Sequence, residues 1–179
     1  MDPYAIIAKH CRTGSKAHRI LVSHGEQVAA KALQAAAAVA DQTPDRAFIR
    51  EAALLHDIGM LYTDSPSLGC YGSHPYIVHG IIGRALLLQE GLERHGRVCE
   101  RHVGVGLTRE DIETQRLVLP LRDMVPVTLE EELICYADKF FSKVGDTREK
   151  PVMEILAKLS RYGAPMADRF RRWAERFGG

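Results

Sequence analysis

The chain has 179 residues, which is enough for one domain with its own hydrophobic core. Hydrophobic residues make up 46% of it and charged residues 26%, as in an ordinary globular protein, whereas aromatic residues, at 7%, are few, which favours helices over strands. The formal net charge of +1 creates no strong field to recruit nucleic acid or an anionic membrane, so neither class of partner is expected.

Helix-start signals recur along the chain. Most of them combine a capping side chain with a Pro or a Glu at the spacing that supports the first helical turn. They lie at Asp2-Pro3, Ser23 with Glu26, Thr43-Pro44, Thr128 with Glu131, Pro151 and Pro165. The start at Ser23 is left open, because an earlier helix that already includes residues 18–21 is the alternative. The helix after Thr43 is predicted to run to about Ile58, with Gly59 as its stop. Another helix is expected from about Tyr76 to Gly91.

No part of the chain shows the alternation that is typical of strands. Segments 64–75 and 119–126 are predicted as loops, the first because Pro, Gly and Ser run through it. The predicted fold class is therefore all-α, a compact helical bundle with short C-terminal helices. We expect a main domain over residues 1–150 and a helical extension over residues 151–179 that packs on the same domain.

The cysteines and the first residues bear on the cellular compartment. The four cysteines are scattered and form no C-x-x-C pair, so no disulfide framework is expected. The N-terminus has no basic segment followed by an apolar one, and the apolar stretches elsewhere are short and interrupted. We therefore expect a cytoplasmic protein with reduced thiols and no membrane association.

An adjacent His and Asp end the apolar helix that precedes Gly59. Ile49, Ala52 and His56 share one helical face, so His56 should point into the core. Asp57 would face the negative end of the helix dipole, an unfavourable position that a bound cation would offset. By itself, the pair is more typical of a histidine satisfied in the core beside an exposed aspartate.

Further His and Asp side chains point towards a core. His24 and His79 each lie on an apolar helical stripe. Asp138 lies at the edge of an apolar face, and His102 precedes a glycine turn. Because burying such a group without a partner costs about 1–3 kcal/mol or more, one metal centre that binds them all would satisfy them together.

The order H … HD … D, with its second element in the form HDIG, resembles the HD-domain superfamily of metal-dependent phosphohydrolases. The matching residues are His24, His56-Asp57 and Asp138, within a segment from about residue 20 to residue 144. The resemblance implies that these four residues ligate a divalent metal and that residues 1–150 form an HD-type helical domain. Binuclear members have two more histidines between HD and the last Asp, and here His79 and His102 occupy that interval, which implies Asp57 as a bridging ligand.

The sequence departs from the family pattern at two positions. Many HDIG proteins have Lys after the glycine, where this chain has Met60. Some binuclear members have two adjacent histidines at the position of His102, where this chain has Arg101 before it. These departures remove one phosphate contact and change the pattern at the second metal position, whereas the residues of the first position match in full.

Imidazole and carboxylate ligands together suit Fe, Mn, Co, Ni or Zn better than Mg, as one ion or two. Such a metal lowers the pKa of a bound water and polarises a phosphoryl oxygen. Because Asp57 is expected to bind this metal, it is predicted to be a catalytic residue. Lys139 is expected to hold the substrate phosphate in catalysis, with Arg101 and with Lys143, one helical turn further on, as additional substrate contacts. The alternative for each of these three residues is that its charge lies at the surface in water and does not contact substrate.

The predicted function is hydrolysis of a phosphate ester or phosphoanhydride on a small nucleotide-like molecule. One alternative is an HD-fold module that contains metal and binds or senses a nucleotide without catalysis. Another is a helical interaction domain in which every histidine is structural. The arginines of the C-terminal segment are more typical of a solvated helix face than of nucleic-acid binding, and a homo-oligomer is left open.

Overall fold

The computed structural model describes residues 1–178, and helices dominate it. Within these residues, the α-helices are α1 Pro3–His10, α2 Lys16–Ala37, α3 Arg46–Leu55, α4 His79–Gln89, α5 Glu93–Arg101, α6 Arg109–Thr114, α7 Leu129–Asp138, α8 Val152–Leu159 and α9 Ala164–Phe177. Two short strands, β1 Asp64–Ser65 and β2 Cys70–Tyr71, pair antiparallel. The predicted all-α class is confirmed, and the small hairpin lies inside the segment predicted as a loop. No helix between residues 1 and 178 is long and apolar enough to cross a membrane.

Local capping explains where several helices begin. The Asp2 carboxylate accepts two backbone N–H groups at the start of α1, and the Thr128 hydroxyl accepts one at the start of α7, as their spacing predicts. Helix α2 begins earlier than predicted, because Ser15 caps it, so Ser23 lies inside the helix. The cap of α3 is Asp45, whose carboxylate accepts a backbone N–H of the first turn.

The glycine after the HD pair has a different role from the one predicted. Helix α3 already ends at Leu55, and Gly59 lies in a 3₁₀ turn over Ile58–Tyr62 without a left-handed backbone. A Cβ atom at this position would lie 2.0 Å from the carbonyl oxygen of His79 and 2.4 Å from the backbone nitrogen of Gly83. Gly59 therefore permits the turn to pack directly on the first turns of α4.

The larger core is built between α2, α3, α7 and the C-terminal helices. Tyr136 of α7 stacks on Phe170 of α9, with ring centroids 5.3 Å apart, and makes an edge contact with Phe177. Buried residues of α8 and α9 belong to the same apolar cluster as those of α2 and α7. The division of the chain into residues 1–150 and 151–179 stays a prediction.

Candidate metal centre

Six histidine and aspartate side chains converge where α2, α3, α4, α5 and α7 meet. They are His24 within α2, His56 at the C-cap of α3, Asp57 directly after it, His79 at the start of α4, His102 at the C-cap of α5 and Asp138 at the end of α7. None of them is more than 7% exposed. Most lie at helix ends, so the packing of the helices determines the geometry of the centre.

The Asp57 carboxylate lies between two pairs of imidazoles. Its Oδ2 atom is 3.0 Å from Nε2 of His56 and 3.3 Å from Nε2 of His24. Its Oδ1 atom is 3.2 Å from Nε2 of His79 and 3.4 Å from Nε2 of His102. Each carboxylate oxygen therefore faces a different pair of histidines.

The two pairs form two groups that share Asp57. Asp138 completes the first group, because its Oδ1 atom is 2.9 Å from Nε2 of His24 and 3.4 Å from Nε2 of His56. In the second group, the Nε2 atoms of His79 and His102 are 3.0 Å apart. The candidate ligand atoms within each group all lie within 4.8 Å of one another, close enough to hold a metal ion.

Backbone carbonyls orient three of the imidazoles. In each case Nδ1–H donates to the carbonyl three residues earlier. The Nδ1-to-oxygen distances are 2.6 Å from His56 to Ala53, 2.7 Å from His79 to Tyr76 and 2.8 Å from His102 to Cys99. Because a carbonyl can only accept, these contacts place the hydrogen on Nδ1 and leave the Nε2 lone pair of a neutral ring for a metal.

The side chains present fit a metal ion. Among residues 1–178, Nε2 of His56 and Oδ1 of Asp57 are buried without a hydrogen-bond partner, and Oδ2 of Asp57 forms an ion pair with Lys143. Across the shared centre, His79 and His102 bring two ring nitrogens together, of which at most one can donate to the other. A cation that accepts lone pairs from nitrogen and oxygen would satisfy these groups, and this mixed set suits a divalent transition metal.

The charges of the centre also favour a cation. Burial would raise the pKa of Asp57, but His56 and Lys143 outweigh it and hold the pKa well below its usual range. Burial lowers the pKa of His102 to about 4, so this imidazole is neutral, as a ligand must be. For His56, burial lowers the pKa, but Asp57 and Asp138 together outweigh it and raise the pKa to about 9, so a metal that binds this ring would displace its proton. Asp57 is thus an ionised carboxylate at the middle of the centre, where it can bind a cation.

Of the three cationic side chains expected to contact substrate, two lie at the centre. Lys139 Nζ is 2.6 Å from Oδ2 of Asp138, and Lys143 Nζ is 2.5 Å from Oδ2 of Asp57. Lys143 is not one helical turn beyond Lys139, because α7 ends at Asp138 and an irregular segment carries Lys143 back to the centre.

Arg101 lies apart from these lysines. Its guanidinium donates to both carboxylate oxygens of the buried Glu131, at 2.8 and 2.9 Å. It is not among the residues that line the cavity beside the centre. The structure therefore does not bring Arg101 to the candidate site.

A cavity of about 860 Å³ opens beside the centre. His79, His102 and Asp138 line it together with Lys139 and Lys143. This volume is within the range of small-molecule sites, roughly 300–1,000 Å³. Sequence reasoning missed several other lining residues, among them Tyr76, Lys150, Lys158 and Tyr162, because no motif marks them.

Comparisons with known proteins agree with this geometry. The family model described as HD domain matches residues 21–142. The crystal structure of the HD domain of the Listeria monocytogenes phosphodiesterase PgpH, in complex with cyclic-di-AMP, aligns with a TM-score of 0.55 at 16% sequence identity, over 93% of this chain and 92% of that chain. At this identity, the structural likeness shows the fold alone.

Curated relatives match parts of longer proteins. A tRNA (cytidine(56)-2'-O)-methyltransferase of Picrophilus torridus is 36% identical over 69% of this chain and 32% of its own length. One of the same name from Thermoplasma volcanium is 33% identical over 73% of this chain and 33% of its own length. An uncharacterized protein of Methanocaldococcus jannaschii is 31% identical over 65% of this chain and 60% of its own length. The chain therefore spans a third to three fifths of these relatives.

The family assignment rests on the extent of the match and on the residues inside it. The matched segment, residues 21–142, covers more than half of the chain and contains all six side chains of the candidate centre. The chain belongs to the HD-domain family, the superfamily of metal-dependent phosphohydrolases that its H … HD … D pattern resembles.

Proposed function

We propose that this chain hydrolyses a phosphate ester or phosphoanhydride of a small nucleotide-like molecule with the help of bound metal. The observation that carries the proposal is the shared position of Asp57 between two buried ligand groups, beside a cavity that contains lysines. The PgpH domain was crystallised with a small phosphorylated nucleotide, which supports a substrate of this chemical kind.

In this proposal, His24, His56, Asp57 and Asp138 hold one divalent ion, and Asp57, His79 and His102 hold a second. Fe, Mn, Co, Ni or Zn suits these ligands better than Mg. When bound, such ions lower the pKa of a water and polarise a phosphoryl oxygen. Asp57 is proposed as a catalytic residue because it would bind both ions, since each of its carboxylate oxygens faces one of the two ligand groups.

Other groups of the chain orient the metal ligands and bind the substrate. The carbonyls of residues 53, 76 and 99 fix three imidazole rings through their Nδ1–H groups. Lys139 and Lys143 line the cavity and carry ammonium groups that can donate to phosphate oxygens. Arg101 is left out of the substrate site, because it does not line the cavity and Glu131 binds its guanidinium.

We expect two metal ions per chain when the protein is loaded anaerobically at saturating Mn²⁺ or Fe²⁺. Replacing His79 with Ala should lower this ratio towards one, since the second group would lose a ligand while the first keeps all four. Metal per chain is measured by elemental analysis after desalting. A strict ratio of one that persists in the wild type at saturating metal would leave only the mononuclear site.

We expect Lys139→Ala to lower kcat/KM about tenfold to a hundredfold while the metal stays bound, because the loss of one charged hydrogen bond costs about 1.5–3 kcal/mol. The measurement is steady-state kinetics with metal content determined on the same sample. Lys16→Ala is the matched control, because this exposed lysine does not line the cavity. Wild-type kinetics in Lys139→Ala would remove Lys139 from the substrate site.

A panel of phosphoesters and nucleotides, assayed with Mn²⁺ or Fe²⁺ and again after chelation, tests the function itself. Hydrolysis of at least one member, lost on chelation and regained on adding metal, is the expected result. Failure to cleave any member, with metal verified in place, would favour a nucleotide-binding or sensor module. In that case, saturable binding without turnover identifies the sensor.

The cysteines bear on the cellular location of the protein. All four cysteines are free thiols in the structure, which is consistent with the cytoplasmic location expected from their spacing. The location and the oligomeric state both stay predictions.

A further inference from the structure

Two lysines from outside the family match line the same cavity as the metal centre. Lys150 precedes α8 and Lys158 lies in its last turn, and both follow the segment 21–142. The cavity is lined at once by these two lysines and by Asp138 of the centre. Any molecule that reaches the centre and fills the cavity would therefore contact a wall that the HD match does not include.

Neither lysine has a partner of opposite charge within residues 1–178. Lys139 and Lys143 form ion pairs with the aspartates of the centre, but Lys150 and Lys158 form none and donate no side-chain hydrogen bond. The carboxylates of Asp64 and Glu154 also line the cavity, and neither is close enough to either lysine to form an ion pair. Two cations thus face the cavity without a counter-ion.

The two cations are close enough to affect each other. Partial burial lowers the pKa of Lys150, and the neighbouring charge of Lys158 lowers it further, against smaller opposing effects of Glu154 and Asp138. Such like-charge proximity is unfavourable in the free protein, and a bound anion would relieve it. The local field at this wall therefore favours an anionic group of the ligand.

We propose that Lys150 and Lys158 form a second phosphate subsite, so that the substrate carries a phosphate group in addition to the one at the metal centre. The inference rests on the proposed function, since it takes the first phosphate to lie at that centre. The substrate class becomes a nucleotide with at least two phosphate groups, either joined in an anhydride or separated by a sugar. The C-terminal helices thereby select among the substrates that an HD centre can accept.

Binding measurements test the subsite without relying on turnover. Calorimetry on the metal-loaded protein compares adenosine monophosphate with two probes that carry a second phosphate. These are the α,β-methylene analogue of adenosine diphosphate, with adjacent phosphates, and adenosine 3′,5′-bisphosphate, with separated ones. Product analysis identifies any probe that is cleaved, and for that probe the Michaelis constant replaces the dissociation constant.

We expect the wild type to bind at least one of the two probes about tenfold more tightly than the monophosphate, as one or two extra charged contacts would produce. In Lys150→Gln/Lys158→Gln, this preference should disappear while affinity for the monophosphate stays within about twofold. The probe that gains affinity shows whether the two phosphates are adjacent or separated. A wild type that prefers neither probe, or a double variant that keeps the preference, would overturn the proposal.

Arg161→Gln is the matched control, because it removes an exposed positive charge close to Lys158 without touching the cavity lining. It should leave the preference unchanged, whereas an equal loss in this variant would mean that overall charge, and not the subsite, binds the second phosphate. The two proposals fail separately. Preference for a probe without hydrolysis of any substrate contradicts the proposed function alone, and hydrolysis without the preference contradicts the subsite alone.

Discussion

Asp57→Ala is expected to lower metal affinity by more than about a hundredfold and to abolish metal-dependent hydrolysis. Side chains that only orient a metal ligand typically contribute 10- to 100-fold to affinity or activity, and Asp57 is placed to bind directly in both groups. Its removal also leaves the Lys143 ammonium without the carboxylate at 2.5 Å. Elemental analysis of desalted protein, together with activity on a substrate found by the panel, measures both losses.

The matched control for this variant is Asp64→Ala. Asp64 is an exposed carboxylate that lines the same cavity but belongs to neither ligand group. It should retain wild-type metal content, and circular dichroism should show helical content unchanged in both variants. Unchanged metal in Asp57→Ala would remove the HD pair from the site and leave the histidines with structural roles.

Gly59→Ala is expected to lower the free energy of unfolding by on the order of 3 kcal/mol, at the upper end of overpacking effects. The added methyl would meet the carbonyl oxygen of His79 at 2.0 Å, and backbone atoms cannot move aside as a side-chain end can. Because that contact involves the first residue of α4, the His79 imidazole should also move away from Asp57. Chemical denaturation measures the first effect, and a reduced second-metal occupancy the other.

Gly145→Ala separates the packing effect from the general cost of losing a glycine. Gly145 has a left-handed backbone at φ +76° and open space where a Cβ would lie. Its substitution should cost only about 1–2 kcal/mol of conformational strain and leave metal binding unchanged. If Gly59→Ala were as stable as the wild type, the close approach of the turn to α4 would not be needed.

Much of the fold was predictable because helix starts depend on neighbours within one turn. Asp2 and Thr128 cap the helices that their spacing predicted, since the acceptor and the N–H groups are only two or three residues apart. The same local logic misplaced the start of α2, because Ser15 and Ser23 offer similar signals and only one can cap. Helix α6, which Thr108 caps, passed unnoticed in a stretch without strong apolar periodicity.

The cationic contacts were the least predictable part of the candidate site. Arg101 was expected at the substrate, but the side chain of Glu131, 30 residues away in sequence, binds its guanidinium. Lys150 and Lys158 carry no motif and enter the cavity wall only because α8 packs beside the centre. A long charged side chain can point to water or to a ligand, and its sequence neighbours do not decide between these.

The sequence by itself determined the all-α class, the family and the types of side chain that meet at the centre. Residue type and spacing suffice for these, because apolar helix faces direct His24, His56 and His79 towards a core wherever that core forms. The resemblance implied Asp57 as a bridging ligand, but only the tertiary structure decided that each of its oxygens faces a different pair of histidines and that Gly59 must lack a side chain. Such contacts join residues far apart in the chain, 114 positions for His24 and Asp138, so helix packing and not local propensity determines them.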